Sequence, residues 1–237
     1  QILVSNSNSL EALILIGKSF LALRIIEDSR LYFNKALEIQ PNNLEVLKHL
    51  GNSFQAVGDI NTAKIYFKKV LAIDDSYAPV LTNLGGIELR SGNQEEAVNL
   101  LIKATKSNPK IATAWGNLAT AYSQLGKFKE AEFSIRKTIE LNPNLFNAHF
   151  LLSSILIKQK KIKEAEDPLR KTIELNPEFF DAHLNLGTIL LSLNKTQEAE
   201  FYTRKAIELK PNNAKAYNNL GNTLKEIGKP KEAELQM

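Results

Sequence analysis

The chain has 237 residues, of which 43% are hydrophobic and 24% charged, a composition typical of a soluble globular protein with enough apolar residues for a core. Cysteine is absent, which excludes disulfides, thiolate metal ligands and thiol nucleophiles. The net charge of +4 is not concentrated on one basic stretch, and the most apolar stretch, residues 10–26, is interrupted by Lys18 and is too short to span a bilayer. We therefore expect no nucleic-acid partner, no membrane partner and a cytoplasmic location.

After a short leader or linker, residues 1–9, the chain repeats itself every 34 residues. The period divides residues 10–237 into seven repeats, which begin at residues 10, 44, 78, 112, 146, 180 and 214, and the last is truncated. Such a chain is expected to form one solenoid domain, because a single repeat cannot bury its apolar face alone. Leucine, alanine and proline recur at this interval, at Leu50, Leu84, Leu118, Leu152, Leu186 and Leu220, at Ala63, Ala97, Ala131, Ala165, Ala199 and Ala233, and at Pro109, Pro143, Pro177 and Pro211.

Each repeat predicts two helices. In the fourth repeat Trp115, Leu118 and Tyr122 follow the spacing of three and four residues that forms one apolar helix face. Gly126 then ends the first helix, since glycine accepts the left-handed conformation that follows a helix C-terminus. Pro143 ends the second helix, because proline cannot continue it.

The first and fifth repeats depart from this pattern, at three positions. Arg24 and Lys160 stand where the other repeats have glycine or Asn194, so we expect their turns to be strained or differently shaped. Pro168 falls inside the second helix of the fifth repeat, where Ser134 and Tyr202 stand in the neighbouring repeats. We expect a local bend there, because an interior proline removes a helical hydrogen bond.

The pattern of Trp115, Leu118, Tyr122, Gly126, Ala131 and Pro143 resembles the tetratricopeptide repeat, and the likeness covers residues 10–237. The resemblance implies an all-α fold, a right-handed superhelical solenoid of antiparallel helix pairs. It also implies a protein–protein interaction scaffold without catalysis of its own, whose concave groove is lined by the first helices and binds an extended peptide or a partner helix.

Four of the seven repeats have asparagine as their sixth residue. This series is similar to the one that grips the peptide backbone in the tetratricopeptide superhelix of O-linked N-acetylglucosamine transferase, although Leu151 interrupts it. An amide can donate to and accept from any peptide group. The alternative is that these residues simply solvate an exposed face. The four sixth-place asparagines are Asn83, Asn117, Asn185 and Asn219.

A second comparison concerns the carboxylate clamp of chaperone-binding tetratricopeptide domains. Lys48, Asn52 and Asn83 match its first three places. Thr113 and Asn117 stand where two cations are expected, which argues against a complete clamp.

Apolar residues occupy other places of the predicted groove. Phe150, Leu151 and Leu184 would select side chains of a partner peptide. Ile14, Leu15 and Leu21 in the first repeat would allow self-association through the terminal repeats or packing on sequence outside this chain. The alternative is that neighbouring helices cover both groups.

No catalytic, metal or cofactor motif is present. His149 and His183 fall at the place of Trp115 and are interpreted as packing residues, while His49 stands without a ligand cluster. We interpret the chain as a piece of a longer protein that binds a protein or peptide partner. The alternative function is the substrate-recruiting arm of a larger enzyme, for example a glycosyltransferase, whose catalytic domain lies beyond Met237.

Overall fold

A computed structural model describes residues 9–234, and within this range the chain forms fourteen α-helices and a short 3₁₀ turn, with no β-strand. Most of the predicted leader lies outside the described residues. Two compact units make up the chain, Gln1–Ala114 and Trp115–Met237. None of the helices in the described part is long and apolar enough to cross a membrane. The single solenoid domain over residues 10–237 stays a prediction.

The helices follow one another in pairs, a first and a second helix for each repeat. The first helices begin at the seven residues where the predicted repeats begin. Their bounds are α1 Leu10–Ala22, α3 Leu44–Ala56, α5 Ala78–Arg90, α7 Ala112–Gln124, α9 Phe146–Lys158, α11 Phe180–Ser192 and α13 Ala214–Glu226. The second helices are α2 Ile26–Ile39, α4 Ile60–Ile73, α6 Gln94–Ser107, α8 Phe128–Leu141, α10 Glu166–Leu175, α12 Thr196–Leu209 and α14 Pro230–Glu234.

The turns between paired helices confirm the prediction that glycine takes the left-handed conformation after the first helix. Gly58, Gly92, Gly126 and Gly228 have φ between 73° and 83°. Arg24 and Lys160 take the same left-handed conformation, with φ of 60° and 63°. Because a Cβ atom crowds the following carbonyl there, these two turns carry the strain that the sequence predicted.

Small residues let the paired helices approach closely. A Cβ atom added to Gly17 would lie 2.6 Å from the ring of Phe33, and one added to Gly51 would lie 2.4 Å from the ring of Phe67. Both rings are fully buried. Glycine at this place of the first helix therefore makes room for a large side chain of the second helix.

Recurrent ion triads join successive second helices in Trp115–Met237. Glu166 on α10 is 8% exposed and binds Arg170 four residues later at 2.9 Å and Lys195, before α12, at 2.8 Å. Glu132 on α8 makes the same pair of contacts, with Arg136 at 2.9 Å and Lys161 at 2.8 Å. These two triads tie the fourth repeat to the fifth and the fifth repeat to the sixth.

The expected irregularity at Pro168 takes a different form from a mid-helix bend. Residues Lys163–Ala165 form a 3₁₀ turn, and α10 begins only at Glu166, so that Pro168 lies in its first turn. Pro168 has no N–H to donate to the carbonyl of Glu164, and its ring would collide with that carbonyl in a regular helix. The helix therefore starts late, with 10 residues against the 14 of α12.

Candidate peptide-binding surface

In Gln1–Ala114 the predicted asparagines on the first helices already bind each other. Nδ2 of Asn83 on α5 donates to Oδ1 of Asn52 on α3 at 2.7 Å, and both side chains are half-buried. An amide has two N–H donors and an acceptor oxygen, so each residue keeps further hydrogen-bonding capacity. The structure thus brings together two of the residues that match the clamp.

Lys48 lies one turn before Asn52 on α3, in a polar cluster with Glu45 and His49. Nζ of Lys18 on α1 binds Oε1 of Glu45 at 3.1 Å. Burial lowers the pKa of Lys48, although Glu45 opposes this effect, and no ion pair holds Lys48 within residues 9–114. Burial lowers the pKa of His49 to about 4, so its imidazole is neutral at pH 7.

The first repeat exposes part of its predicted apolar group. Leu15 is 55% exposed, while Ile14 and Leu21 are half-buried and pack against the core around Leu13 and Phe33. The neighbouring helices therefore cover Ile14 and Leu21 in part and leave Leu15 exposed. Self-association through this face stays a prediction.

In Trp115–Met237 two sixth-place asparagines have unoccupied side chains. Asn117 on α7 and Asn185 on α11 are half-buried, and neither amide makes a side-chain hydrogen bond to another residue in the described range 9–234. Asn219 on α13 differs, since its Nδ2 donates to Oγ1 of Thr188 at 2.8 Å. This unit therefore offers two unpaired amides on its first helices.

The three predicted apolar groove residues have different surroundings. Leu151 is half-buried, and Phe150 packs edge-on against Phe179 with ring centroids 4.9 Å apart. Leu184 must be removed from the predicted groove, because it is 3% exposed. It packs in an apolar cluster formed by Phe180, Ala206 and Ala216.

His149 and His183, the histidines at the place of Trp115, each contact the backbone of the turn before their own helix. Nε2 of His149 lies 2.8 Å from the carbonyl oxygen of Pro143, and Nε2 of His183 lies 2.8 Å from that of Pro177. His49 instead stacks on the buried ring of Phe33, with centroids 5.4 Å apart. Among the described residues no group of three or more His, Cys, Asp or Glu side chains could hold a metal ion.

The sequence pattern did not indicate a pocket between the second helices α8 and α10. This pocket, the α8–α10 pocket, has a volume of about 630 Å³ and is lined in part by Arg136, Ile139, Leu152 and Pro168. The signal that could have found it is the dipeptide Asp167–Pro168, which stands where the next repeat has Phe201–Tyr202.

Solved structures similar to this chain are helical repeat proteins. PilF of Pseudomonas aeruginosa is 23% identical, with a TM-score of 0.77 over 87% of this chain and 94% of that one. YrrB, described as a tetratricopeptide protein with an unusual peptide-binding site, is 23% identical, with a TM-score of 0.70 over 78% of this chain and 95% of that one. MamA of Desulfovibrio magneticus RS-1 is 24% identical, with a TM-score of 0.63 over 67% and 90%. At these identities the likeness shows the fold.

No curated protein sequence matches the chain. A family model does match it, over residues 22–237, and that family is described as the C-terminal domain of cilia and flagella-associated protein 70. The paired helices, the left-handed turns and the close glycine contacts agree with the tetratricopeptide architecture of this family. The chain is therefore a tetratricopeptide-repeat protein and belongs to the family of the cilia and flagella-associated protein 70 C-terminal domain.

Proposed function

We propose that this chain is a protein-interaction module that binds an extended segment of a partner protein on the first helices of Trp115–Met237. The observation that carries the proposal is the pair of unoccupied amides, Asn117 and Asn185, at the same place of their repeats. Leu151 occupies that place in the repeat between them. No catalytic role is part of this proposal.

The chemistry of these residues suits a peptide backbone. A peptide group offers one N–H donor and one carbonyl acceptor, and an asparagine amide can pair with both. Each such hydrogen bond contributes about 0.5–1.5 kcal/mol net, so two of them give affinity without dictating sequence. Leu151 and Phe150, both half-buried, would contact apolar side chains of the bound segment.

The likeness to known structures supports a peptide ligand. YrrB, which shares the fold over most of its length, is described by its peptide-binding site. The clustered polar residues Lys48, Asn52 and Asn83 in Gln1–Ala114 offer a second place for the same kind of ligand. Because Asn52 and Asn83 bind each other, a ligand there would compete with an existing hydrogen bond.

Peptide selection followed by calorimetry tests the proposal. Peptides are selected on the wild-type protein from a random display library, and their affinity is then measured for the double variant Asn117→Ala/Asn185→Ala. We expect a loss of about tenfold or more, since two hydrogen bonds of ordinary strength are removed. Asn144→Ala, in an exposed turn of the same unit, is the matched control and should leave the affinity unchanged.

Two results would count against the proposal. One is a set of selected peptides whose affinity the double variant does not alter. The other is a loss of affinity in Asn144→Ala as large as in the double variant, which would mean that the effect is not specific to the first helices.

A further inference from the structure

The α8–α10 pocket is lined by residues of α8, α9 and α10 and of the turn before α10, and none of these is a residue of the proposed peptide site. Its apolar lining includes Ile139 of α8, Leu152 of α9 and Pro168 of α10. Its polar lining includes Arg136 and His149. The volume of about 630 Å³ falls within the range of pockets that bind small molecules or single side chains.

The next repeat contains nearly the same surroundings, with the side chain of Tyr202 at the place of Pro168. Seven lining residues of the α8–α10 pocket have residues of identical type 34 positions later, between α10 and α12. Only Asp167–Pro168 differs, being replaced by Phe201–Tyr202. The seven matching pairs are Arg136 and Arg170, Ile139 and Ile173, Glu140 and Glu174, His149 and His183, Leu152 and Leu186, Glu164 and Glu198, and Lys171 and Lys205.

Tyr202 occupies the space that corresponds to the pocket. Nη1 of Arg170 donates to its hydroxyl oxygen at 3.1 Å, and the ring centroid of His183 lies 5.9 Å from that of Tyr202. His183 is accordingly only 5% exposed, whereas the equivalent His149 is half-buried. This arrangement of residues therefore accommodates a tyrosine side chain in the next repeat.

Arg136 is held in the same way as Arg170 but lacks the aromatic partner. Nε and Nη2 of Arg136 both donate to Oε1 of Glu132, as the same atoms of Arg170 donate to Oε1 of Glu166. Nη1 of Arg136 has no counterpart to the Tyr202 hydroxyl within residues 9–234. A donor on a fixed guanidinium is therefore available at the pocket.

The rim of the pocket carries unpaired negative charge. Glu164 and Asp167 make no ion pair in the described part of the chain, although the equivalent Glu198 is bound by Arg170. The cations Arg136 and Lys171 are already paired, with Glu132 and Glu174. A ligand is thus favoured whose aromatic group is flanked by positive charge.

From this internal comparison we propose that the α8–α10 pocket binds a tyrosine side chain of a partner protein, flanked by lysine or arginine. The phenol ring lies against Ile139, Leu152 and Pro168, and its hydroxyl oxygen accepts a hydrogen bond from Nη1 of Arg136. This contact is the intermolecular counterpart of the Arg170–Tyr202 contact inside the protein.

Nuclear magnetic resonance titration of the ¹⁵N-labelled protein with an acetylated and amidated Gly-Lys-Tyr-Lys-Gly peptide tests this proposal. Chemical shifts of amides in α8, α9 and α10 are expected to change, with saturation. The peptide with phenylalanine in place of tyrosine should bind about tenfold more weakly, because the hydrogen bond from a charged donor is lost. The alanine peptide should show only the weak effect of its two lysines.

Two protein variants decide whether the pocket itself is occupied. Pro168→Tyr copies the filled arrangement of the next repeat and should abolish binding, whereas Asn212→Tyr, which places the same side chain in an exposed turn of the same unit, should retain it. Arg136→Gln should lower the affinity for the tyrosine peptide to that of the phenylalanine peptide, while Arg170→Gln should not change it. Asn117→Ala/Asn185→Ala should also bind normally, which separates this proposal from the proposed function.

The proposal is overturned if the tyrosine peptide does not bind, or if the alanine peptide binds equally well. It is likewise overturned if Pro168→Tyr binds as the wild type does, provided that the spectrum of this variant shows a folded protein. If the tyrosine and phenylalanine peptides bind equally, the role assigned to Arg136 is wrong.

Discussion

The fifth and sixth repeats have different dipeptides at one corresponding place, and both the backbone and the surface around that place differ as well. Asp167–Pro168 in the fifth repeat accompanies a shortened α10 and an open pocket, while Phe201–Tyr202 in the sixth accompanies a helix of 14 residues and a filled space. The surrounding residue types are otherwise the same at seven places. In an array of repeats, a substitution at one place can therefore leave open a pocket that the corresponding side chain fills in the next repeat.

The largest expected effect comes from emptying the filled space. Tyr202→Ala removes a half-buried ring that contacts Arg170 and His183, and it should lower the free energy of unfolding by about 2–3 kcal/mol, below the 3–5 kcal/mol of a fully buried aromatic residue. Urea denaturation measures the change. Phe201→Ala, at a neighbouring ring that is 55% exposed, should cost less than about 1 kcal/mol. Equal costs for the two variants would contradict the packing role of Tyr202.

The sixth repeat should also tolerate a larger residue on its first helix less well than the fifth. Glycine stands at position 187, and an added Cβ would lie 2.4 Å from Oγ1 of the fully buried Thr203 and 3.3 Å from the carbonyl oxygen of Ala199. Gly187→Ser should therefore destabilise the protein by about 2 kcal/mol. The fifth repeat already has Ser153 there, and Ser153→Gly should cost only about 1 kcal/mol in helix propensity. Thermal unfolding of both variants checks the difference.

The ion pairs of Glu166, which join the fifth repeat to the sixth, can be tested at acid pH. A hydrogen bond from Lys195 lowers the pKa of Glu166 below its ordinary value of 4.5, against the opposing effect of burial, and Arg170 adds to the lowering. The unfolded chain therefore takes up the proton first as the pH falls, so this stabilisation is present above pH 4.5 and is lost as the pH falls through the folded-state pKa.

Glu166→Gln should lower the free energy of unfolding by about 1–2 kcal/mol at pH 7, and the difference from wild type should shrink as the pH falls below 4.5. Urea denaturation across this pH range provides the measurement. Glu178→Gln, in an exposed turn, is the control and should behave as the wild type does. A cost of Glu166→Gln that is constant with pH would show that the carboxylate charge is not what joins the repeats.

The smallest expected effect is a gain of stability in the fifth repeat. Pro168→Ala restores the N–H that can bind the carbonyl of Glu164, so α10 should lengthen toward the start that α12 has. We expect a gain of about 1 kcal/mol, well below the 3 kcal/mol of an interior proline, because the first turn of a helix tolerates proline. Circular dichroism and thermal unfolding report the change. An unaltered helix content would mean that proline is not the cause of the 3₁₀ turn.

The fold could be predicted from the sequence because its determinants are local and repeated. Glycine at Gly58 or Gly126 specifies a left-handed turn by itself, and the same place identified Arg24 and Lys160 as strained. The close approach at Gly17 and Gly51 follows equally from small residues at a fixed helical place.

The candidate sites were less predictable because they depend on neighbouring repeats. Phe150 and Leu184 share one repeat place, but only Leu184 is covered, by Ala206 and Ala216 of the following helices. The bond between Asn83 and Asn52 joins two helices and cannot be read from either. The effect of Pro168 also differs from the predicted bend, since the turn before the proline is 3₁₀ and a pocket lies beside it.

The ion triads carry an evolutionary consequence. Glu132 and Glu166 make the same contacts with an arginine in their own helix and a lysine of the next repeat. Deletion of residues 146–179 by recombination would bring Lys195 to Glu132, while Tyr202 would meet Arg136. The shortened protein would keep its electrostatic joints and lose the α8–α10 pocket. A single gene rearrangement would thus add or remove this pocket.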